Sequence, residues 1–216
     1  MKFNSYDPLA PYYDFLSLIL GKSYRDSKRL FLDGLKEGDQ VLYLGGGTGA
    51  NLPEILDRIG RDGKLCYIEA SSQMIAKARR RVKLDQLSQI VFLHQSDFSF
   101  IPLDTYDVVL TQLLLEILPE HEITNLLQEL GRRTKSDTSW IFLDFLPIAE
   151  KKWLIQLMIR FFRCFTGNPR KDLPDYARHF GCYGWQMEEK KSLKRGFIQA
   201  WLLKRGVVTN SRQPGI

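Results

Sequence analysis

The chain has 216 residues, 44% of them apolar and 26% charged, with a net charge of +6 and a pI near 9.2. That length suits one domain with a full hydrophobic core, and the composition is ordinary for a soluble protein. No stretch reaches the ~20 uncharged apolar residues of a membrane span, and Cys66, Cys164 and Cys182, three and widely spaced, argue for reduced thiols and not for a disulfide frame or a zinc site.

The start, Met1-Lys2-Phe3-Asn4-Ser5, is followed by Pro8, Pro11 and Asp14 and not by a signal-peptide core, so a cytoplasmic setting is expected. Residues 6–20 mix aromatic and apolar groups with the two prolines. Arg25 to Leu35 reads as a helix with Leu30, Phe31 and Leu35 on its apolar side. Gly38-Asp39 then turns the chain into a first strand ending in Leu44.

Four glycines follow among five positions, Gly45, Gly46, Gly47 and Gly49. A helix begins at once, with Leu52, Ile55, Leu56 and Ile59 at i, i+3, i+4, i+7 and Pro53 in its first turn. A strand that turns this sharply into a helix needs glycine, and bare backbone there admits a ligand to the free N–H groups of the helix start. The next strand ends in Glu69, twenty positions after Gly49. A carboxylate at that distance is the ribose partner of nucleotide-binding α/β folds, and two ribose hydroxyls suit one carboxylate.

Further on, a second helix starts near Ser72 with Ile75, Ala78 and Val82 inward. Strands follow at Ile90–Leu93, leading to Ser96-Asp97-Phe98, and at Asp107–Leu110, with Thr111 and Gln112 at the tip. Ile123, Leu126, Leu127 and Leu130 make a helical face ended by Gly131. A fifth strand covers Trp140 to Asp144. Such alternation implies a parallel sheet covered on both faces. Trp185–Lys191 and Phe197–Leu203 form a closing antiparallel hairpin, and the tail from 206 to 216 is expected to fray. Lys77, Arg79, Arg80, Arg81 and Lys83 supply much of the positive charge. They read as a solvated face, and no nucleic-acid partner is expected.

Together these motifs resemble the class I S-adenosylmethionine-dependent methyltransferases across nearly the whole chain. The resemblance implies a Rossmann-like, doubly wound, seven-stranded sheet in one domain over 1–205. Its parts are an N-terminal lid and helix (1–36), a cofactor core (40–145), a substrate-side insertion (148–184) and the hairpin (185–204). It also implies S-adenosyl-L-methionine as cofactor, with S-adenosyl-L-homocysteine as product. Gly45, Gly46, Gly47 and Gly49 then face its methionine part, and Glu69 the ribose. Ala70 and Met74 line the adenosine, Asp97 receives the adenine amino group with Phe98 beside it, and Thr111 and Gln112 face the cofactor. Tyr43 departs from the family, which usually has Asp or Glu there to reach the cofactor's ammonium. A dinucleotide is the rival cofactor, since Gly45-x-Gly47-x-x-Ala50 also fits that fingerprint. It is disfavoured because the only Tyr-x-x-x-Lys pair, Tyr24 with Lys28, precedes the glycines and no room remains for a substrate domain.

Methyl transfer mainly needs alignment, and a base only where the acceptor arrives protonated. Glu116 and the tyrosines Tyr12 and Tyr13 are the candidates. Glu116 reads equally well as a solvent-facing carboxylate entering a helix. His94, His121 and His179 show no metal-ligand spacing. Leu9-Ala10-Pro11-Tyr12-Tyr13-Asp14 resembles the cofactor-covering lid of quinone-biosynthesis C-methyltransferases and bacterial phosphatidylethanolamine N-methyltransferases, with Arg25 as a further closing residue. That implies a small, apolar or lipid-like acceptor. A binding protein of the same fold without turnover is the second reading, motivated by Tyr43. Lys151–Phe165 has an apolar arc interrupted by Gln156, Arg160 and Arg163. It fits a helix packed on the sheet with its arginines outward, a lid over the acceptor, or an anchor on anionic lipid.

Overall fold

The computed structural model of the chain describes residues 21, 24–98, 101–102, 105–166 and 170–206, with backbone alone at 161, 162 and 164–166. The lid motif Leu9–Asp14, with Tyr12 and Tyr13, lies outside the described residues, as do the tail from 207 and the side chains of Phe161, Phe162 and Phe165.

Seven strands make one sheet: β1 Gln40–Leu44, β2 Lys64–Glu69, β3 Ile90–His94, β4 Tyr106–Gln112, β5 Thr134–Phe145, β6 Trp185–Leu193 and β7 Ile198–Arg205. Their order is β3-β2-β1-β4-β5-β7-β6. β1 to β5 run parallel, while β7 is antiparallel to both β5 and β6. The order reverses at β1 and β4, the position where open α/β sheets leave a crevice beyond the carboxyl ends of the strands.

Strand alternation assigns the two faces. Leu42, Leu44 and Val109 point to one side, against Ile123, Leu126, Leu127 and Leu130 of α3 (Glu120–Arg133) and Phe180 of α5 (Tyr176–Cys182). Val41, Tyr43 and Leu110 point to the other, against Leu52, Ile55, Leu56 and Ile59 of α1 (Leu52–Ile59). Burying one such side chain contributes about 1.5–3 kcal/mol. The remaining helices are α2 (Ser72–Arg79) and α4 (Lys152–Thr166).

Several elements differ from the sequence reading. The expected helix from Arg25 to Leu35 stops early, its last helical residue being 27. Phe31 takes a left-handed backbone (φ 65°), and a 3-10 turn follows at Leu32–Gly34. The break lays Phe31, Leu32 and Leu35 onto the α1 layer, and Lys191 Nζ covers the outer face of the Phe31 ring at 4.2 Å. Gly131 does not end α3, which runs on to Arg133. The stop comes from Thr134, whose hydroxyl donates to the Leu130 carbonyl at 2.6 Å as the chain enters β5. β5 therefore begins well before Trp140, because its first residues are largely exposed and carry no apolar signal. Val82 falls beyond the end of α2 and is half-buried.

The sequence reading missed α5. Asp175 caps it by accepting the Arg178 N–H at 3.1 Å, and its Tyr176 and Phe180 complete an aromatic cluster. Phe180 stands edge-on to Trp140 at 4.9 Å and to Phe142 at 5.1 Å. Phe180→Ala is expected to lower stability by about 3–5 kcal/mol in urea denaturation. A loss below about 1 kcal/mol would mean that α5 does not close this half of the core.

Candidate functional site

The site is built on the turn that follows β1. Gly45 N–H donates to the Ile68 carbonyl at 2.8 Å, tying the exit of β1 to β2. The next two glycines then do different jobs. A Cβ on Gly46 would run into the Tyr67 ring at 2.2 Å, so this glycine makes room for an aromatic side chain. Gly47 has φ 64° and its missing Cβ would face open space, the nearest atom being Met74 Sδ at 4.0 Å. There bare backbone fronts a cavity with room for a ligand. Gly49 presses on Leu52 and Ala78 and serves helix packing.

β2 holds the Gly47 peptide from both ends. Glu69 Oε2 accepts the Gly47 N–H at 2.9 Å, and the Tyr67 hydroxyl donates to the Gly47 carbonyl at 2.7 Å. The second Glu69 oxygen accepts the Ser71 N–H at 2.9 Å. Ser71, not Ser72, caps α2, accepting the Met74 N–H at 3.2 Å and aiming Met74 at the cavity. Burial raises the Glu69 carboxyl above its ordinary range, against the pull of these amides.

The cavity measures about 530 Å³, within the roughly 300–1,000 Å³ usual for small-molecule sites. Gly45, Gly47, Glu69, Ala70, Met74, Phe98 and Gln112 of the expected set line it. Asp97 does not: its side chain is exposed, and in the alternating loop Ser96 and Phe98 take the wall. Thr111 does not either. It shares the α3 face with Val109 and accepts the Trp140 indole N–H at 2.8 Å, whereas Gln112 falls on the Tyr43 face. Gly46, Gly49 and Tyr43 support the wall from behind.

Tyr43 is fully buried, and burial pushes its phenol further up, so it is neutral. Its hydroxyl lies 2.8 Å from Gln112 Oε1 and 3.1 Å from Asn51 Oδ1, its single proton serving one at a time. Asn51 Nδ2 donates to the same Gln112 oxygen at 3.0 Å. Both amides also donate to the Lys28 carbonyl, at 3.2 and 2.9 Å. Lys28 and Tyr24 stand in the cavity wall, with Lys28 Nζ 5.3 Å from the Tyr24 ring centre. Sequence reasoning noted this pair only as a misplaced Tyr-x-x-x-Lys. Its i,i+4 spacing was the available signal.

Glu116 is neither solvent-facing nor in the cavity wall. It is buried in a 3-10 turn at Leu115–Ile117 and faces a narrow gap of about 20 Å³ under α4, beside Phe145, Ile155, Met158 and Arg170. Its carboxyl touches that of Asp144, which accepts the backbone N–H groups of Phe145 (2.9 Å) and Glu116 (3.3 Å). Two buried carboxyls in contact cannot both ionise, so the pair holds a proton. Burial and the neighbouring carboxylate push Glu116 well above the carboxylate range, and burial pushes Asp144 up to about 7. Sequence inspection had placed Asp144 only as the end of a strand.

A family profile described as a methyltransferase domain matches residues 41–137. The protein-L-isoaspartate O-methyltransferase of Thermotoga maritima is 29% identical over 136 residues, which is 58% of this chain and 43% of that protein. The chain thus spans less than half the length of this curated relative. A SAM dependent methyltransferase from Aquifex aeolicus superposes with a TM-score of 0.62 at 20% identity, over 83% of this chain and 89% of its own. DhpI, solved in a complex with SAH, gives a TM-score of 0.67 at 15% identity over 95% of each chain. The fold is that of the class I S-adenosylmethionine-dependent methyltransferases. DhpI holds SAH in this fold, and the residues lining the present cavity fit a ligand of that kind. A side-chain-free peptide at Gly47, a buried carboxylate beside it and an apolar flank of Ile68, Met74 and Phe98 suit the amino-acid, ribose and adenine parts in turn.

The paired carboxyls carry a pH signature. Asp144 rises from an ordinary 3.8 to about 7 on folding, so the folded state binds the extra proton between these values. Its contribution to stability is complete below about pH 4 and is lost as pH rises through 7. Urea midpoints of the wild type should fall between pH 5 and pH 8.5, and Asp144→Asn should flatten that slope. Parallel slopes for the two proteins would remove the proton from this pair.

Proposed function

We propose that the protein transfers a methyl group from S-adenosylmethionine to a small acceptor with apolar character. The observation that carries this reading is the Gly47 peptide, bare towards the cavity and already fixed by Glu69 and Tyr67. The bound cofactor supplies an activated methyl group on a sulfonium, displaced in line by the acceptor. The protein's part is alignment. In this reading Glu69 receives the ribose hydroxyls on the lone pairs its two amide partners leave free. Ile68, Ala70, Met74 and Phe98 enclose the adenine, and the polar edge of that ring meets Gln95 and Ser96 rather than Asp97. Leu114, Ile117 and Leu118 form the apolar end where the acceptor enters. In this reading the Glu116–Asp144 pair, next in sequence to Leu115 and Ile117, is the candidate to exchange a proton with the acceptor, and Tyr13 keeps its proposed place in a covering lid.

A second reading, binding without turnover, draws on Tyr43. Its neutral network with Asn51 and Gln112 offers no carboxylate to the cofactor's ammonium. Calorimetry should give binding of both S-adenosylmethionine and S-adenosylhomocysteine, weakened ten- to a hundredfold in Glu69→Ala, since a charged hydrogen-bond partner contributes about 1.5–3 kcal/mol. Equal affinities would remove Glu69 from the site. Methyl-labelled cofactor, offered with panels of phenols, quinols and lipids, separates the two readings by whether labelled product forms.

The helix α4 bears on where the acceptor resides. Ile155 is buried, Leu154, Met158 and Ile159 pack on the sheet, and Arg160 and Arg163 are exposed, as in the packed reading. Yet Trp153 and Leu157, one turn apart, stay 69% and 57% exposed beside Lys152 and Arg160. Among the described residues no helix is long and apolar enough to cross a membrane. We propose that this outer face rests on anionic lipid. Co-sedimentation with phosphatidylglycerol vesicles should drop in Trp153→Ser with Leu157→Ser while the melting temperature holds. Unchanged sedimentation would leave α4 as a packing helix.

A further inference from the structure

Four cationic side chains line the large cavity, and three are accounted for. Arg29 is paired with Glu54 at 2.6 Å, Arg81 donates to the Thr48 carbonyl at 2.9 Å, and Arg25 is exposed at the mouth. Lys28 differs. Its backbone is fixed, because its carbonyl accepts from both Asn51 and Gln112. Its ammonium has neither a hydrogen bond nor an ion pair among the described residues, only the Tyr24 ring at 5.3 Å. Glu69 and Glu116 act on it electrostatically, but Glu69 is already engaged by the amides of Gly47 and Ser71, and Glu116 shares a proton with Asp144. Burial pushes the Lys28 ammonium down to about 8, against the upward pull of Glu69 and Glu116.

The position of that cation relative to the anchors defines what it can read. Glu69, Met74 and Phe98 mark the adenosine end of the cavity. Lys28 is tied instead to Asn51, just past the glycine turn, and to Gln112 at the tip of β4, which together bracket the amino-acid end. Tyr43, Asn51 and Gln112 turn their polar atoms on one another and on Lys28, and the lining carboxylate Glu54 is already paired with Arg29 and Arg58, so among the described residues no unpaired anion stands there to meet an ammonium. The anion that the cofactor brings to this end is its α-carboxylate. We propose that Lys28 pairs with the α-carboxylate of the cofactor and is the main charge recognition of its amino-acid end. This rests on the reading of the cavity as an S-adenosylmethionine site. The consequence is a site that reads the carboxylate and leaves the ammonium to neutral contacts.

A ligand-by-residue cycle tests it, using S-adenosylhomocysteine and its decarboxylated analogue, which keeps the amine and loses the carboxylate. Calorimetry should give the wild type at least a tenfold preference for the carboxylate-bearing ligand. Lys28→Met should remove most of that preference by weakening S-adenosylhomocysteine alone, and Lys28→Arg should restore part of it. The Lys28 backbone carbonyl survives every substitution, so melting temperatures near wild type are expected and serve as the folding control. Equal weakening of both ligands in Lys28→Met, or loss of the preference in Arg25→Met instead, would overturn the assignment while leaving the cofactor site standing. A wild type that binds neither ligand would take down the cofactor reading and this inference together.

Discussion

The peptide of Gly47 is the point on which the site depends. Two buried same-face positions of one strand, Tyr67 and Glu69, reach across to the carbonyl and the N–H of a single residue after the neighbouring strand. This works only in the observed parallel register, with Tyr43 opposite Tyr67 and Leu44 opposite Ile68. A slip by one residue would turn both side chains to the other face. Burial and function are therefore joined in one register. The residues that set it, Val41 to Leu44 and Leu65 to Ile68, are core residues, and their alternation fixes where a ligand meets backbone without a side chain. The turn is held before any ligand arrives, so binding requires little ordering of the loop.

Much of this was legible because it rests on local rules. Parallel strands buried on both faces read as apolar runs, and glycines beside a helix face read as a ligand turn. What escaped the sequence was decided by tertiary partners. Phe31 sits in a left-handed backbone because the layer beneath it, not helix propensity, determines where its ring goes. Thr111 and Gln112 are equivalent in sequence terms, and the parity of β4 separates them, sending one to an indole and the other to the cavity. Asp97 is exposed, while its neighbours Gln95, Ser96 and Phe98 line the cavity, a distinction that side-chain type does not announce. Glu116 looked like a surface acid because sequence cannot show that Asp144, a distant strand residue, stands against it.

The interior carries an unusual amount of ionisable chemistry for its size. Lys28, Glu69, Glu116 and Asp144 are each driven from their ordinary range mainly by burial. Each is offset differently: Glu69 by backbone amides, Asp144 by amides and a shared proton, Lys28 by distant carboxylates alone. Such groups are costly to fold, and proteins tend to retain them where a ligand or a reaction uses them.

The two margins of the sheet are guarded unequally. At one end β6 carries Glu188, Glu189, Lys190 and Lys191 together with an irregular register between Met187 and Glu189, devices that discourage a neighbouring chain from adding a strand. At the other end β3 is only five residues long, and its outward Val91 is 58% exposed. The Arg79 guanidinium, stacked on the Phe92 ring at 4.5 Å, covers part of that margin. Shortness and a single stacked cation thus do at β3 what charge does at β6. Unwanted edge-to-edge growth of this protein at high concentration would start from the β3 side, far from the strands that hold the Glu116–Asp144 pair.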